Sequence, residues 1–175
     1  MLKSTLLLLS SILIATDQVL KYWVLKNLLG KRSIEIIPGI FRLTYVENYG
    51  AAFGIFQDKT LMLTIIVLAV LLVILYTILS GKVRERIMLF SFSLIIAGGV
   101  GNLIDRIRLG FVVDYLDFSA LFSFPVFNFA DCCVVSGTVI MLIYVIISDY
   151  VEQKKGDMVR VAKDGADGNI SGGKS

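Results

Sequence analysis

The sequence contains no histidine, two prolines, one tryptophan and only two cysteines in 175 residues. Without histidine, the Ser-His and Cys-His nucleophile pairs, the HExxH zinc sites and most transition-metal sites fall away together. Cys132 and Cys133 are neighbours in the chain, cannot close an ordinary disulfide, and say little about redox compartment. As buried thiols they read as small apolar fillers. Charge is sparse too: 18% of residues are charged and the net charge is only +3, a weak basis for nucleic-acid binding. The basic residues flank apolar runs, where the bias of Lys and Arg toward cytoplasmic loops explains them better.

What the chain has instead is apolar length. Hydrophobic residues make up 57% and the mean hydropathy is +0.83. Four stretches approach or exceed the roughly 20 residues that cross a hydrocarbon layer: about 4–25, 61–79, 87–107 and 127–148. One domain of four membrane-spanning helices over residues 1–153 is therefore expected, an all-α membrane fold. The first stretch begins like a secretory leader but lacks a small-x-small cleavage site and carries Asp17 and Lys21, so a retained helix is expected. Residues 154–175, rich in Gly, Asp and Lys, are expected to be a disordered cytoplasmic tail. Lys3, the turn with Lys82, Arg84 and Arg86, and the basic tail share one side, which places both termini in the cytoplasm. The long outer loop holds Pro38-Gly39, a turn signal, and then Phe41, Leu43 and Tyr45 alternating with polar neighbours. That pattern predicts a small sheet on the outer surface. Phe111, Tyr115, Phe118, Phe122 and Phe124 read as an interfacial aromatic belt.

Ionisable groups within spans are costly and mark function by default. Here Asp17, Lys21, Asn102, Asp105, Arg106, Asn128 and Asp131 all fall toward the outer ends of their spans, with Asp114 just beyond the third. Asp17 and Lys21, four residues apart, suit a structural ion pair anchoring the first helix. Asp105 and Arg106 suit an end-of-helix pair, or Arg106 a grip on a lipid phosphate. Asp117 is expected to face water. Asp114 and Asp131 suit a hydrolytic pair, because two close carboxylates share a proton and divide the acid and base roles. Two other readings remain open on these residues: a proton relay through Asp17, Asp114 and Asp131, and a non-enzymatic lipid-binding protein in which Arg106 and the aspartates hold headgroups. The relay lacks polar residues through the full depth. The GxGD signature of presenilin-like proteases is absent.

Five elements occur in order: Asp17 with Lys21, Asn48-Tyr-Gly-Ala-Ala-Phe-Gly54, Gly101-Asn-Leu-Ile-Asp-Arg106, Val112-Val-Asp-Tyr115, and Phe127-Asn-Phe-Ala-Asp131. Together they resemble the bacterial lipoprotein signal peptidases, or signal peptidase II, from about Asp17 to Asp149. The resemblance implies a four-helix membrane aspartyl endopeptidase with a small extracytoplasmic β-sheet cradle. Such an enzyme cuts diacylglyceryl-modified prolipoproteins just before the lipidated cysteine. It implies Asp114 and Asp131 as catalytic residues and Asn48, Asn102, Arg106 and Asn128 as residues that line the site and hold substrate. Asp17 and Lys21 remain structural support. No cofactor or metal is expected. Expected partners are lipidated prolipoproteins and membrane lipids, with no nucleic acid, for a monomer in the bacterial cytoplasmic membrane whose active site lies near the outer face.

Overall fold

The computed structural model describes residues 2–50, 59–121 and 124–171. Its order is α1 (Leu2–Leu28), β1 (Ile34–Ile37), β2 (Phe41–Asn48), α2 (Thr60–Leu79), α3 (Arg86–Leu109), β3 (Val112–Asp117) and α4 (Phe129–Ser171). Four helices are long and apolar enough to cross a membrane, over Thr5–Leu28, Thr60–Leu79, Arg86–Leu109 and Phe129–Gly156. Their outward residues are the large apolar ones, such as Leu61, Leu79 and Ile146. In a lipid solvent this leaves small and polar residues to make the helix–helix contacts.

α3 is the central helix and touches the other three. It can do so because its glycines let backbones meet. A Cβ on Gly98 would lie 2.1 Å from the Ala130 carbonyl oxygen of α4, and one on Gly137 of α4 would lie 2.7 Å from the Ser91 carbonyl oxygen. Against α1, the Ser10 hydroxyl donates to the Ser93 carbonyl at 3.0 Å.

The three strands form one antiparallel sheet in the order β1-β2-β3. The β1–β2 turn is the Pro38-Gly39 step, with Gly39 at φ 70°, a left-handed conformation that favours glycine. Leu43 pairs with Leu116 and Val46 with Asp114, with a shift of register between them. β3 enters the sheet directly from α3, whose last turn closes on Gly110 at φ 84°. Val113 and Tyr115 of β3 pack against Val24 and Leu28 of α1. Backbone bonds from Tyr115 and Leu116 to Phe127 then tie β3 to the chain just before α4. The sheet thus sits at the end of the bundle where α1 and α3 finish and α4 begins.

Three expectations change. Tyr115 is buried against α1 and does not belong to a surface belt. Phe118 stacks between Phe41 and Phe127, 4.7 and 5.9 Å away, while Phe122 lies outside the described residues. Asp117, expected to face water, is buried and ion-paired with Arg42, its cross-strand partner, at 2.6 Å. α4 continues through Ser171, across the stretch whose composition pointed to disorder. Val151, Glu152, Gln153, Lys154 and Lys155 carry the turns forward, and extending an existing helix is far easier than starting one.

Candidate active site

Two aspartates stand at the centre of a hydrogen-bonded cluster at the sheet end of the bundle. Asp114 comes from β3 and Asp131 from the first turn of α4. Asn128 joins them. Its side-chain amide donates to Asp114 Oδ1 at 2.6 Å, its Oδ1 accepts the Asp131 backbone N–H at 2.9 Å, and its own N–H donates to Asp131 Oδ2 at 3.2 Å. The last two bonds form a reciprocal helix cap, Asn128 serving as N-cap and Asp131 as the acid three residues on. A carboxylate there also meets the positive end of the helix dipole.

Asn48 closes the other side. Its Nδ2 donates to Asp114 Oδ2 at 2.8 Å, while its Oδ1 accepts the Gly50 N–H at 2.9 Å, which fixes the amide's orientation. Asn102 Nδ2 donates to Asp131 Oδ1 at 2.7 Å. Burial and the nearby charge of Asp131 push the Asp114 carboxyl up to about 7, against the two amide hydrogen bonds that would hold it down. At neutral pH, Asp114 is therefore divided between its acid and its carboxylate.

Arg106 points into the same region. One terminal NH2 group donates to the Gly50 carbonyl at 3.1 Å, and its Nε finds no partner among the described residues. Its expected pairing with Asp105 is not what the structure shows. Asp105 turns instead to α1, where it meets Lys21 Nζ at 2.8 Å and accepts the Val113 N–H at 3.1 Å. Lys21 also meets Asp17 at 3.0 Å, and Asp17 accepts the Ala130 N–H of α4 at 3.0 Å. Gln18 bridges Asp17, Asp105 and the Gly101 carbonyl, each at 3.2 Å.

All eight expected site residues thus lie in one cluster, but with different surroundings. Asn128 has no exposed surface, and its amide is spent on the aspartates. Sequence reasoning missed Gln18 and the inward turn of Asp105. A signal for Asp105 was present: it lies one helical turn beyond Gly101, whose Cβ would come within 2.5 Å of Asp17 Oδ2. A side chain at 101 would occupy the space that Asp17 of α1 fills beside Asp105. Cys132 and Cys133 are free thiols, the second buried. Among the described residues, no three His, Cys, Asp or Glu side chains gather closely enough to hold a metal ion.

Fold and site together define a four-span membrane protein with a buried two-aspartate centre capped by a small sheet. The family model described as signal peptidase (SPase) II matches residues 9–147. The chain is 49% identical over 135 residues to the lipoprotein signal peptidase of Clostridioides difficile, covering 77% of this chain and 90% of that one. It is 41% identical over 144 residues to that of Clostridium tetani, covering 81% and 92%. A bacterial membrane enzyme solved by the in meso method superposes with a TM-score of 0.76 at 31% identity, covering 83% of this chain and 90% of that one. The chain belongs to the signal peptidase II family, membrane peptidases of lipoprotein processing.

Proposed function

We propose that this protein is an aspartyl endopeptidase that removes signal peptides from diacylglyceryl-modified prolipoproteins, cutting just before the lipidated cysteine, with Asp114 and Asp131 as its catalytic pair. The observation that carries this reading is Asn128, whose side-chain amide donates to the Asp114 carboxyl and whose backbone N–H donates to the Asp131 carboxyl, so that one residue holds the two groups in one site. Asp114, pushed up to about 7 by burial and the charge of Asp131 and so part-protonated at neutral pH, is the acid in the active form. Asp131 in its charged form takes a proton from water, and the hydroxide so generated adds to the scissile carbonyl as Asp114 protonates the carbonyl oxygen. Collapse of the tetrahedral intermediate breaks the C–N bond, with a proton passing from Asp131 to the leaving amine and one returning to Asp114. A water activated in this way requires no cofactor.

Arg106, whose Nε has no partner among the described residues, is the group we assign to the substrate, while Asn48 and Asn128 hold Asp114 and Asn102 holds Asp131. The cluster lies at the bundle end opposite Arg84, Arg86 and the end of α4. The bias of basic residues puts that opposite end, and both termini, in the cytoplasm. The site then faces outward at headgroup depth, where a substrate made of a membrane helix and a lipid presents its bond.

Asp114→Asn and Asp131→Asn should each abolish cleavage of a purified lipidated precursor while leaving substrate binding within a few-fold. Because the two act as one unit, the double variant should be little worse than either single. Turnover above a few per cent of wild type in either single variant removes that residue from the pair.

A further inference from the structure

We infer that Lys21 is a positioning residue for catalysis: through Asn102 it steadies the hydrogen bond received by Asp131. The inference rests on the two-aspartate reading above and goes beyond the anchoring role that an ion pair with Asp17 implies.

A lysine ammonium has three N–H donors and no acceptor. In Lys21 all three have an acceptor: Asp17 Oδ2 at 3.0 Å, Asp105 Oδ2 at 2.8 Å and Asn102 Oδ1 at 2.8 Å. With 2% of its surface exposed, the side chain has no water to turn to. The Asn102 atom that faces Nζ must therefore be the oxygen, since an NH2 group there would set donor against donor. Once Oδ1 faces Lys21, Nδ2 faces the other way and donates to Asp131 Oδ1 at 2.7 Å. The same Oδ1 accepts from Asn128 Nδ2 at 3.2 Å, and that nitrogen donates in turn to Asp114 Oδ1 at 2.6 Å.

Without the ammonium, Asn102 Oδ1 loses its shortest bond and keeps only the longer one from Asn128 Nδ2, at 3.2 Å. The amide keeps its orientation but is held less firmly, so the bond it gives Asp131 and the place of Asn128 between the two aspartates are both loosened. Asp17 and Asp105 keep the ammonium aimed: one is locked to the Ala130 N–H of α4 and the other to the Val113 N–H beside Asp114. Lys21 touches no reacting atom and acts through Asn102.

Lys21→Met alone leaves two buried carboxylates unpaired and is prone to misfold. The deciding variant is therefore the neutral Asp17→Asn/Lys21→Met/Asp105→Asn protein, whose asparagines still accept from Ala130 and Val113. Cleavage of a lipidated precursor by the purified protein would be measured with its thermal unfolding midpoint, beside Asp114→Asn and Asp131→Asn. The expected result is a folded triple variant with kcat lowered about tenfold or more and KM within about twofold. A folded triple variant with wild-type kcat overturns the inference, because an anchoring role is satisfied once no charge is left unpaired. If Asp114→Asn and Asp131→Asn are inactive in that same experiment, the two-aspartate reading survives. Activity in those variants sinks that reading instead.

Discussion

Asp114 binds its proton more tightly in the folded protein than in the unfolded chain, with a carboxyl pushed up from 3.8 to about 7 by burial and by Asp131. The folded state therefore holds more protons than the unfolded state between those two values, and stability must fall as pH rises through that window. Well above pH 7 the charged form predominates and the destabilisation reaches its limit, on the order of a few kcal/mol. Asp114→Asn, inactive as a peptidase, should raise the unfolding midpoint at pH above 7 and change it little below pH 4; thermal unfolding in detergent across that range checks this. A second residue-level test concerns Arg106. Arg106→Lys keeps the charge but loses the planar fork that can bond two acceptors. Substrate affinity should drop by about tenfold, roughly 1.4 kcal/mol, as read by binding to the inactive Asp131→Asn background. Unchanged affinity would reduce Arg106 to an anchor on the Gly50 carbonyl.

The sheet and the helix contacts carry their own consequences. Asp117 lies three residues beyond Asp114 on β3 and accepts from Arg42 Nε at 2.6 Å, Thr44 Oγ1 at 2.9 Å and the Ser119 N–H at 2.9 Å. Burial alone would raise its carboxyl, but the bonds from Ser119, Arg42 and Thr44 prevail and hold it below the usual carboxylate range. Its contribution is therefore present above the ordinary carboxylate value and lost as pH falls through the depressed one. Asp117→Ala should loosen β2 from β3, destabilising the protein by about 2 kcal/mol at neutral pH through lost charged hydrogen bonds. The effect should disappear in strong acid. Between helices, Gly98→Ala places a methyl group 2.1 Å from the Ala130 carbonyl. Neither backbone can yield without moving α4, so a loss of about 1–3 kcal/mol is expected, with reduced cleavage because Asn128 and Asp131 ride on the start of that helix. Wild-type melting and activity in Gly98→Ala would show that α3 and α4 are free to separate.

At the scale of the whole molecule, the arrangement gathers every polar group of the site at one end of an otherwise apolar bundle. The proposed orientation puts Ser33 outside and Ser171 inside. Single-cysteine labelling at these positions, in a background with Cys132 and Cys133 replaced, tests it: an impermeant reagent should reach Ser33 in intact cells and not Ser171. The reverse result would move the site to the cytoplasmic leaflet. The cysteine replacements should themselves leave most activity, as should ending the chain after Gln153.

Four spans and a strand at Phe41–Asn48 were legible in the sequence because both depend on local pattern. Apolar length meets a fixed bilayer thickness, and alternation meets the two faces of a strand. The Asn128–Asp131 spacing could likewise be read as a helix cap, since capping involves only neighbouring residues. Partners of buried charges follow a different rule. Asp105 is adjacent to Arg106 and 84 positions from Lys21, yet it pairs with Lys21, because the glycine at 101 lets α1 come close enough for the ammonium to reach across. Asp117 looks solvated in a polar loop, and only the register that sets Arg42 opposite it makes it a buried latch. The apolar run and the turn signals determined which segments span and which strand forms. The four-residue spacing also gave the Asp17–Lys21 pair, but tertiary packing decided the pairs that cross between elements, because in a low-dielectric interior each ionised group takes the nearest group able to satisfy it, whatever its distance along the chain.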